Sequence, residues 1–199
     1  MKYVALIRPL DDFQNYTLNI GRRYGKYAEK EPAIGHHCTL MVSKLNESAE
    51  DKLVSDLETI TQSQFAAELT GELDLFDGMA LVARVKRSPA LHELHRQVIE
   101  RMRHHIDWAE TGRLLPQYES QPERAKVFHA YGTPYCGPFY NPHISLAELN
   151  PNILKDPHLI QNKKLVMNKI PAYAWSVFDF ELVKKKEGEW LTVRSFALK

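Results

Sequence analysis

The sequence contains few cysteines, almost no net charge and no long apolar run. Its only cysteines, Cys38 and Cys136, cannot by themselves form a disulfide framework or a zinc knuckle. The 26 Lys and Arg residues balance 25 Asp and Glu residues, and a net charge of +1 argues against a protein that coats duplex phosphates. The first apolar run is too short for a signal peptide, and none approaches the roughly 20 residues of a membrane helix. We therefore expect a cytoplasmic protein with no membrane contact and no obligate protein partner.

The remaining composition is that of a soluble globular chain, and 199 residues suffice for one core or for two small lobes that share an interface. Hydrophobic periodicity and capping residues predict an alternation of strands and helices. The predicted elements are a strand at 3–8, a helix from 11 or 12 to about 28, a strand at 36–43, a helix opening at 48–51, strands at 65–75 and 79–85 around a turn at 77–78, a helix from 88 to about 108, a short helix at 122–131, a strand at 142–149 and a hairpin at 172–198.

One four-residue pattern, His-x-(Ser/Thr)-Leu, occurs in each half of the chain. It comprises residues 37–40 (HCTL) and 143–146 (HISL). With 9 His, 17 Ser and Thr, and 23 Leu in the sequence, about 0.09 such matches are expected by chance. Two matches, both in predicted strands, therefore indicate a shared role.

Strand geometry places the polar residues of each motif on one face. Residues i and i+2 of a strand point the same way, so His37 lies beside Thr39, and His143 beside Ser145. Cys38, Leu40 and Val42 should share the opposite face of the first strand, as should Ile144 and Leu146 in the second. By the same alternation His36 should point away from the motif face and serve a structural role. If the strands meet across a pseudo-twofold axis, two imidazoles and two hydroxyls converge.

The repeated motif strand also predicts the architecture. We expect an α+β fold with two pseudo-symmetric lobes of mainly antiparallel sheet, helices on the outer faces and a central cleft, all in a single bilobal domain over residues 1–199. The connection at about 109–140 is long for a compact domain, which is typical of a functional lid or insertion.

The motif residues suit hydrolysis of a cyclic phosphodiester. One histidine would remove a proton from water while the other protonates the leaving oxygen, because an ordinary imidazole pKa of about 6.5 suits both tasks. Hydroxyl groups would donate to the non-bridging oxygens, where charge builds in the transition state. This chemistry requires no metal and no cofactor.

The paired motifs, together with the run Tyr140-Asn141-Pro142-His143, resemble the two-histidine (2H) phosphoesterase superfamily. That superfamily includes the 2′-5′ RNA ligase-like proteins and the cyclic nucleotide phosphodiesterases. The resemblance implies that His37 and His143 are catalytic, that Thr39 and Ser145 bind phosphate, and that Tyr140 flanks the nucleotide. Arg8, at the end of the first strand, is a further candidate for nucleotide binding. The implied substrate is a cyclic phosphate or a 2′-5′ phosphodiester of a nucleotide or an RNA end.

Two other classes fit the same residues. A binding module for RNA or nucleotides could keep the cleft without turnover. A metal-dependent hydrolase could use His36, His37 and His143 as ligands, although the sequence offers no convincing carboxylate ligand near them.

Overall fold

The computed structural model describes residues 1–10, 12–13, 16, 28–30, 33–76, 80–149 and 170–199. Most of the helix predicted from 11 or 12 to about 28, and the turn predicted at 77–78, lie outside the described residues. The strands are β1 (Lys2–Ile7), β2 (Ala28–Lys30), β3 (Cys38–Lys44), β4 (Phe65–Phe76), β5 (Ala80–Val85), β6 (His143–Leu149), β7 (Ala174–Val177), β8 (Asp179–Lys186) and β9 (Glu189–Ala197). The α-helices are α1 (Glu50–Glu58), α2 (Pro89–Met102), α3 (Trp108–Thr111) and α4 (Pro122–Tyr131).

One antiparallel sheet organises the chain, in the order β7-β4-β5-β6-β3-β1-β8-β9, with β2 added beside β6. The two motif strands, β3 and β6, are neighbours at its centre. From them the order continues outward as β1-β8-β9 on one side and β5-β4-β7 on the other. This arrangement confirms the predicted α+β fold with two related halves.

The same irregularity occurs in both motif strands. The pairing of β3 with β1 skips Leu40, and the pairing of β6 with β5 skips Leu146. Each leucine is the last residue of its motif and is the extra residue of a β-bulge. The bulge overturns one expectation: Val42 lies on the opposite face from Leu40, half-buried against Val4 and Leu6, because one extra residue reverses the alternation.

The main core lies between the sheet and helices α1 and α2. In α2, the predicted apolar stripe is confirmed, since Leu91, Leu94, Val98 and Met102 are fully buried. Ser88 caps this helix as predicted, because its hydroxyl oxygen accepts a hydrogen bond from the Leu91 backbone N–H at 3.2 Å. The helices therefore cover one face of the sheet and leave the motif side chains on the other.

The C-terminal segment departs from the prediction. The sequence predicts one strand from 172 to about 183, but the chain breaks at Phe178, between β7 and β8. Strand β7 pairs with β4 in one lobe, and β8 pairs with β1 in the other. The final hairpin, with its turn at Glu187–Gly188, is as predicted. This segment therefore contributes a strand to each lobe.

The connection at 109–140 is mostly helical. It contains α4, with the bounds predicted from the sequence, and short 3₁₀ turns at Gly112–Tyr118 and Gly137–Phe139. Within the described residues, no helix has both the length and the apolarity needed to cross a membrane. The cytoplasmic location stays a prediction.

We expect Gly132→Ala to destabilise the protein by about 2–4 kcal/mol. Gly132 ends α4 at φ +66°, and an added Cβ would lie 2.9 Å from Ile106 Cδ1 and 3.0 Å from Ser43 Oγ. Gly137→Ala is the matched control, because Gly137 has a similar φ of +56° with no heavy atom within 4 Å of the added carbon. Urea unfolding would measure both variants, and equal losses would show that crowding at Gly132 contributes nothing.

Candidate active site

The two motifs meet where β3 and β6 pair. Cys38 lies opposite Ile144, so the antiparallel register places Thr39 across from His143, and His37 across from Ser145. Cys38 and Ile144 are fully buried, whereas both histidines and both hydroxyl residues are half-buried. The alternation predicted for these residues is therefore confirmed. His37 directly precedes β3, and His143 is the first residue of β6.

Both imidazoles make the same backbone contact. His37 Nδ1 lies 2.8 Å from the Gly35 carbonyl oxygen, and His143 Nδ1 lies 2.7 Å from the Asn141 carbonyl oxygen. A carbonyl oxygen accepts only, so the proton of each hydrogen bond must reside on Nδ1. In the neutral ring this tautomer leaves the basic lone pair on Nε2. The two residues thus share orientation and tautomer, each fixed by the carbonyl two residues upstream.

The surroundings of His37 favour the neutral ring. Burial lowers the pKa of His37 to about 4, an effect that the bond to the Gly35 carbonyl partly opposes. The positive charges of Arg8 and His143 lower this pKa further. His37 is therefore unprotonated at neutral pH, as a general base must be.

Arg8 lies next to the first motif. Its Nε donates to Glu181 Oε1 at 2.8 Å, and its Nη1 donates to the Ile34 carbonyl at 2.8 Å. The same Nη1 is 3.7 Å from the position that a Cβ of Gly35 would occupy. Glu181 and the backbone thus fix the guanidinium beside the turn that leads into His37. A contact with nucleotide stays a prediction for Arg8.

Tyr140 is almost fully buried next to the first motif. Only 5% of the residue is exposed, and its ring stacks on His95 with centroids 3.5 Å apart. The Tyr140 hydroxyl donates to the Thr39 carbonyl at 3.3 Å. Stacking on a nucleotide needs an exposed ring face, and one face of the Tyr140 ring is covered by His95. A place beside the nucleotide stays a prediction for Tyr140.

A cavity of about 140 Å³ opens beside Thr39 and His143. Four aromatic side chains, Phe76, Tyr135, Phe139 and Tyr140, contribute to its walls. The Phe76 ring stacks on the His143 imidazole, with centroids 4.4 Å apart. His37, Ser145 and Arg8 are not among the cavity residues, which are Thr39, Leu40, Met41, Val42, Phe76, Thr133, Tyr135, Cys136, Phe139, Tyr140, Asn141 and His143.

The cavity residues include two groups that the sequence interpretation undervalued. Phe76 is far from both motifs in the sequence. The one feature that could have indicated a role for it is its position as an aromatic residue between a predicted strand and a predicted turn. Thr133, Tyr135, Cys136 and Phe139 come from the connection at 109–140, which therefore supplies one wall of the cavity. Its movement as a lid stays a prediction.

His36 has a structural contact, as expected. Its Nδ1 donates to the Ser145 carbonyl at 3.1 Å, and its ring packs edge-on against Phe13, which belongs to the main core. Among the described residues, no three His, Cys, Asp or Glu side chains are grouped as metal ligands. We assign no residue to a metal.

Comparison with solved structures identifies the same fold in several proteins. E. coli LigT, crystallised with 3′-AMP, matches with a TM-score of 0.63 and 14% identity, covering 100% of this chain and 98% of LigT. TT0787 of Thermus thermophilus matches with a TM-score of 0.62 and 16% identity, covering 100% and 98%. A crystal structure of a phosphoesterase matches with a TM-score of 0.58 and 13% identity, again covering 100% and 98%. LigT has also been crystallised with NADP⁺, ATP and phosphate.

These matches cover the whole chain, and they confirm the fold implied by the resemblance to two-histidine phosphoesterases. No protein-family model and no curated protein sequence matches the chain significantly. At 13–16% identity the likeness shows the fold, and the chemistry must be argued from the site.

Proposed function

We propose that this chain is a metal-independent phosphoesterase that hydrolyses a cyclic phosphate or a 2′-5′ phosphodiester of a nucleotide or RNA end. The observation that carries the proposal is the matched pair of imidazoles at the junction of β3 and β6. Each has its Nδ1 bonded to the carbonyl two residues upstream, and each strand adds a hydroxyl on the same face. Two imidazoles placed in this way can act as general base and general acid at one phosphorus atom.

The environment of His37 favours the role of base for this residue, which leaves the role of acid to His143. Neutral His37 takes a proton through Nε2 from the attacking water, whose oxygen forms the new bond to phosphorus. His143, in its protonated form, gives a proton to the ribose oxygen as the old P–O bond breaks. Thr39 and Ser145 donate hydrogen bonds to the non-bridging oxygens, which carry more charge in the transition state than in the substrate. The product is a phosphomonoester. Each turnover leaves His37 protonated and His143 neutral, and proton exchange with the solvent restores the starting forms.

The aromatic cavity supports a nucleotide substrate. The cavity borders Thr39 and His143, so a nucleotide whose phosphate is held at the motifs can place its base inside the cavity. Its aromatic side chains provide faces and edges on which any base can pack. The complex of LigT with 3′-AMP shows that a protein of this fold accommodates a nucleotide.

Turnover in the presence of a chelator tests the proposal. The protein is incubated with 2′,3′-cyclic mononucleotides and with 2′-5′ dinucleotides in EDTA, and the phosphomonoester is followed by ³¹P NMR. We expect product from at least one class, and its chemical shift identifies which P–O bond breaks. Nucleotide binding without product would instead support the non-catalytic module. Activity lost in EDTA and restored by zinc would support the metal hydrolase.

We expect Tyr135→Ala to raise KM for a nucleoside cyclic phosphate by about 5- to 100-fold, which corresponds to one base–aromatic stack. The Tyr135 ring lines the cavity and lies 5.5 Å from the Phe76 ring. Tyr135→Phe, which keeps the ring, should retain a low KM. With ribose 2′,3′-cyclic phosphate, which has no base, the alanine variant should match the wild type. An equal rise in KM for both substrates would place the base elsewhere.

A further inference from the structure

The two motif strands share little backbone pairing. In the described residues, β3 and β6 are paired at Cys38 and Ile144 alone. A ladder of one residue pair constrains the relative position of the two lobes only weakly. A longer ladder would add further backbone hydrogen bonds between them. Other contacts must therefore fix the separation of the imidazoles.

Two side-chain hydrogen bonds cross this junction in opposite directions. His36, one residue before the first motif, donates from Nδ1 to the carbonyl of Ser145 in the second motif at 3.1 Å. Tyr140, three residues before the second motif, donates from its hydroxyl to the carbonyl of Thr39 in the first motif at 3.3 Å. Each bond ends on the backbone of the residue whose hydroxyl faces the proposed phosphate. We call this pair of bonds the reciprocal latch.

Both latch residues are held by the core. The Tyr140 ring lies parallel to the His95 ring, with an interplanar angle of 9°. His95 is 1% exposed, and its Nδ1 donates to the carbonyl of Leu40, the bulged residue of β3, at 2.6 Å. His36 packs edge-on against buried Phe13. Side chains with packed rings hold a hydrogen-bond donor in one place, which a surface side chain does not.

We infer that His36 and Tyr140 are positioning residues that set the distance between the two catalytic imidazoles. The inference rests on the proposed phosphoesterase function. In-line displacement requires base and acid on opposite sides of one phosphorus, and a displacement of about 1 Å costs on the order of 100-fold in rate. Loss of a latch bond therefore lowers kcat much more than it raises KM, because the two donors are bonded to backbone carbonyls and not to the substrate.

The test uses Tyr140→Phe and His36→Leu, each of which removes a donor and keeps a packed side chain. We expect each to lower kcat by about 10- to 100-fold. His36→Asn is the matched rescue, because the asparagine amide places an N–H near the position of imidazole Nδ1. It should recover most of the kcat that His36→Leu loses. Assays well below the unfolding temperature separate these effects from stability.

A second measurement does not depend on turnover. The ¹⁵N resonances of the histidine rings should show His143 perturbed by His36→Leu, and His37 perturbed by Tyr140→Phe, since each bond ends on the opposite motif. Wild-type kcat in both variants, with unmoved histidine resonances, would overturn the latch. If the wild type turns over no substrate while the resonances move as expected, the proposed function fails and the latch stands as a structural device.

Discussion

Replacing either His37 or His143 with alanine should lower kcat by about 100- to 10,000-fold, the range typical of a lost general acid or base. The two imidazoles are arranged alike, since each has Nδ1 bonded to a backbone carbonyl and Nε2 as its basic nitrogen. Rates of 2′,3′-cyclic nucleotide hydrolysis in EDTA would measure the loss.

The matched control is His129→Ala, because His129 is an exposed histidine in the last turn of α4. It should keep the wild-type rate, and circular dichroism should show all three variants folded. The double variant His37→Ala/His143→Ala should be hardly slower than either single variant, since acid and base act as a unit. Wild-type activity in both single variants would refute the proposed catalytic pair.

The pH profile assigns the two roles. Because the pKa of His37 is lowered to about 4, its unprotonated fraction stays near one at neutral pH and falls only as the pH falls through that value. If His37 is the base, kcat/KM of the free enzyme should stay level down to about pH 5 and then decline. An acidic limb near pH 6.5 would contradict the assignment of His37 as base.

The sequence was sufficient to predict the parts of the site that depend on local pattern. Strand alternation around His37 and His143 predicted which side chains share one face of each strand, and the burial of Cys38 and Ile144 on the opposite face confirms it. Caps and an apolar stripe likewise predicted α2, whose N-cap hydrogen bond is formed by Ser88. In these cases the determining interactions lie within a few residues of each other.

The sequence interpretation was wrong where the outcome depends on distant partners. The segment around Phe178 has the alternation of one strand, but its two parts pair with strands in opposite lobes. The identity of a partner strand is not visible in the sequence of the segment itself. Val42 lies on the opposite face from the one predicted because Leu40 forms a β-bulge against β1. A bulge depends on the pairing of two strands and cannot be read from one of them.

Removing the hydroxyl groups should have the second largest effect. We expect Thr39→Val and Ser145→Ala each to lower kcat by about 100- to 1,000-fold, the usual cost of one lost donor to a developing oxyanion. The register places Thr39 across from His143, and Ser145 across from His37, so each hydroxyl is near the imidazole of the other strand. KM should change far less, because the non-bridging oxygens gain charge mainly as the water attacks.

Conservative exchanges make this prediction selective. Thr39→Ser and Ser145→Thr keep a hydroxyl on the same Cβ, so both should retain most of the wild-type kcat, whereas Thr39→Val matches the shape of threonine and lacks only the donor. The pseudo-symmetric halves also predict comparable losses for Thr39→Val and Ser145→Ala. If Thr39→Val hydrolyses the substrate at the wild-type rate, the hydroxyl does not contact the phosphoryl oxygens. The charge in the transition state would then have to be stabilised by other donors near β3 and β6, with Arg8, beside His37, as the first to replace.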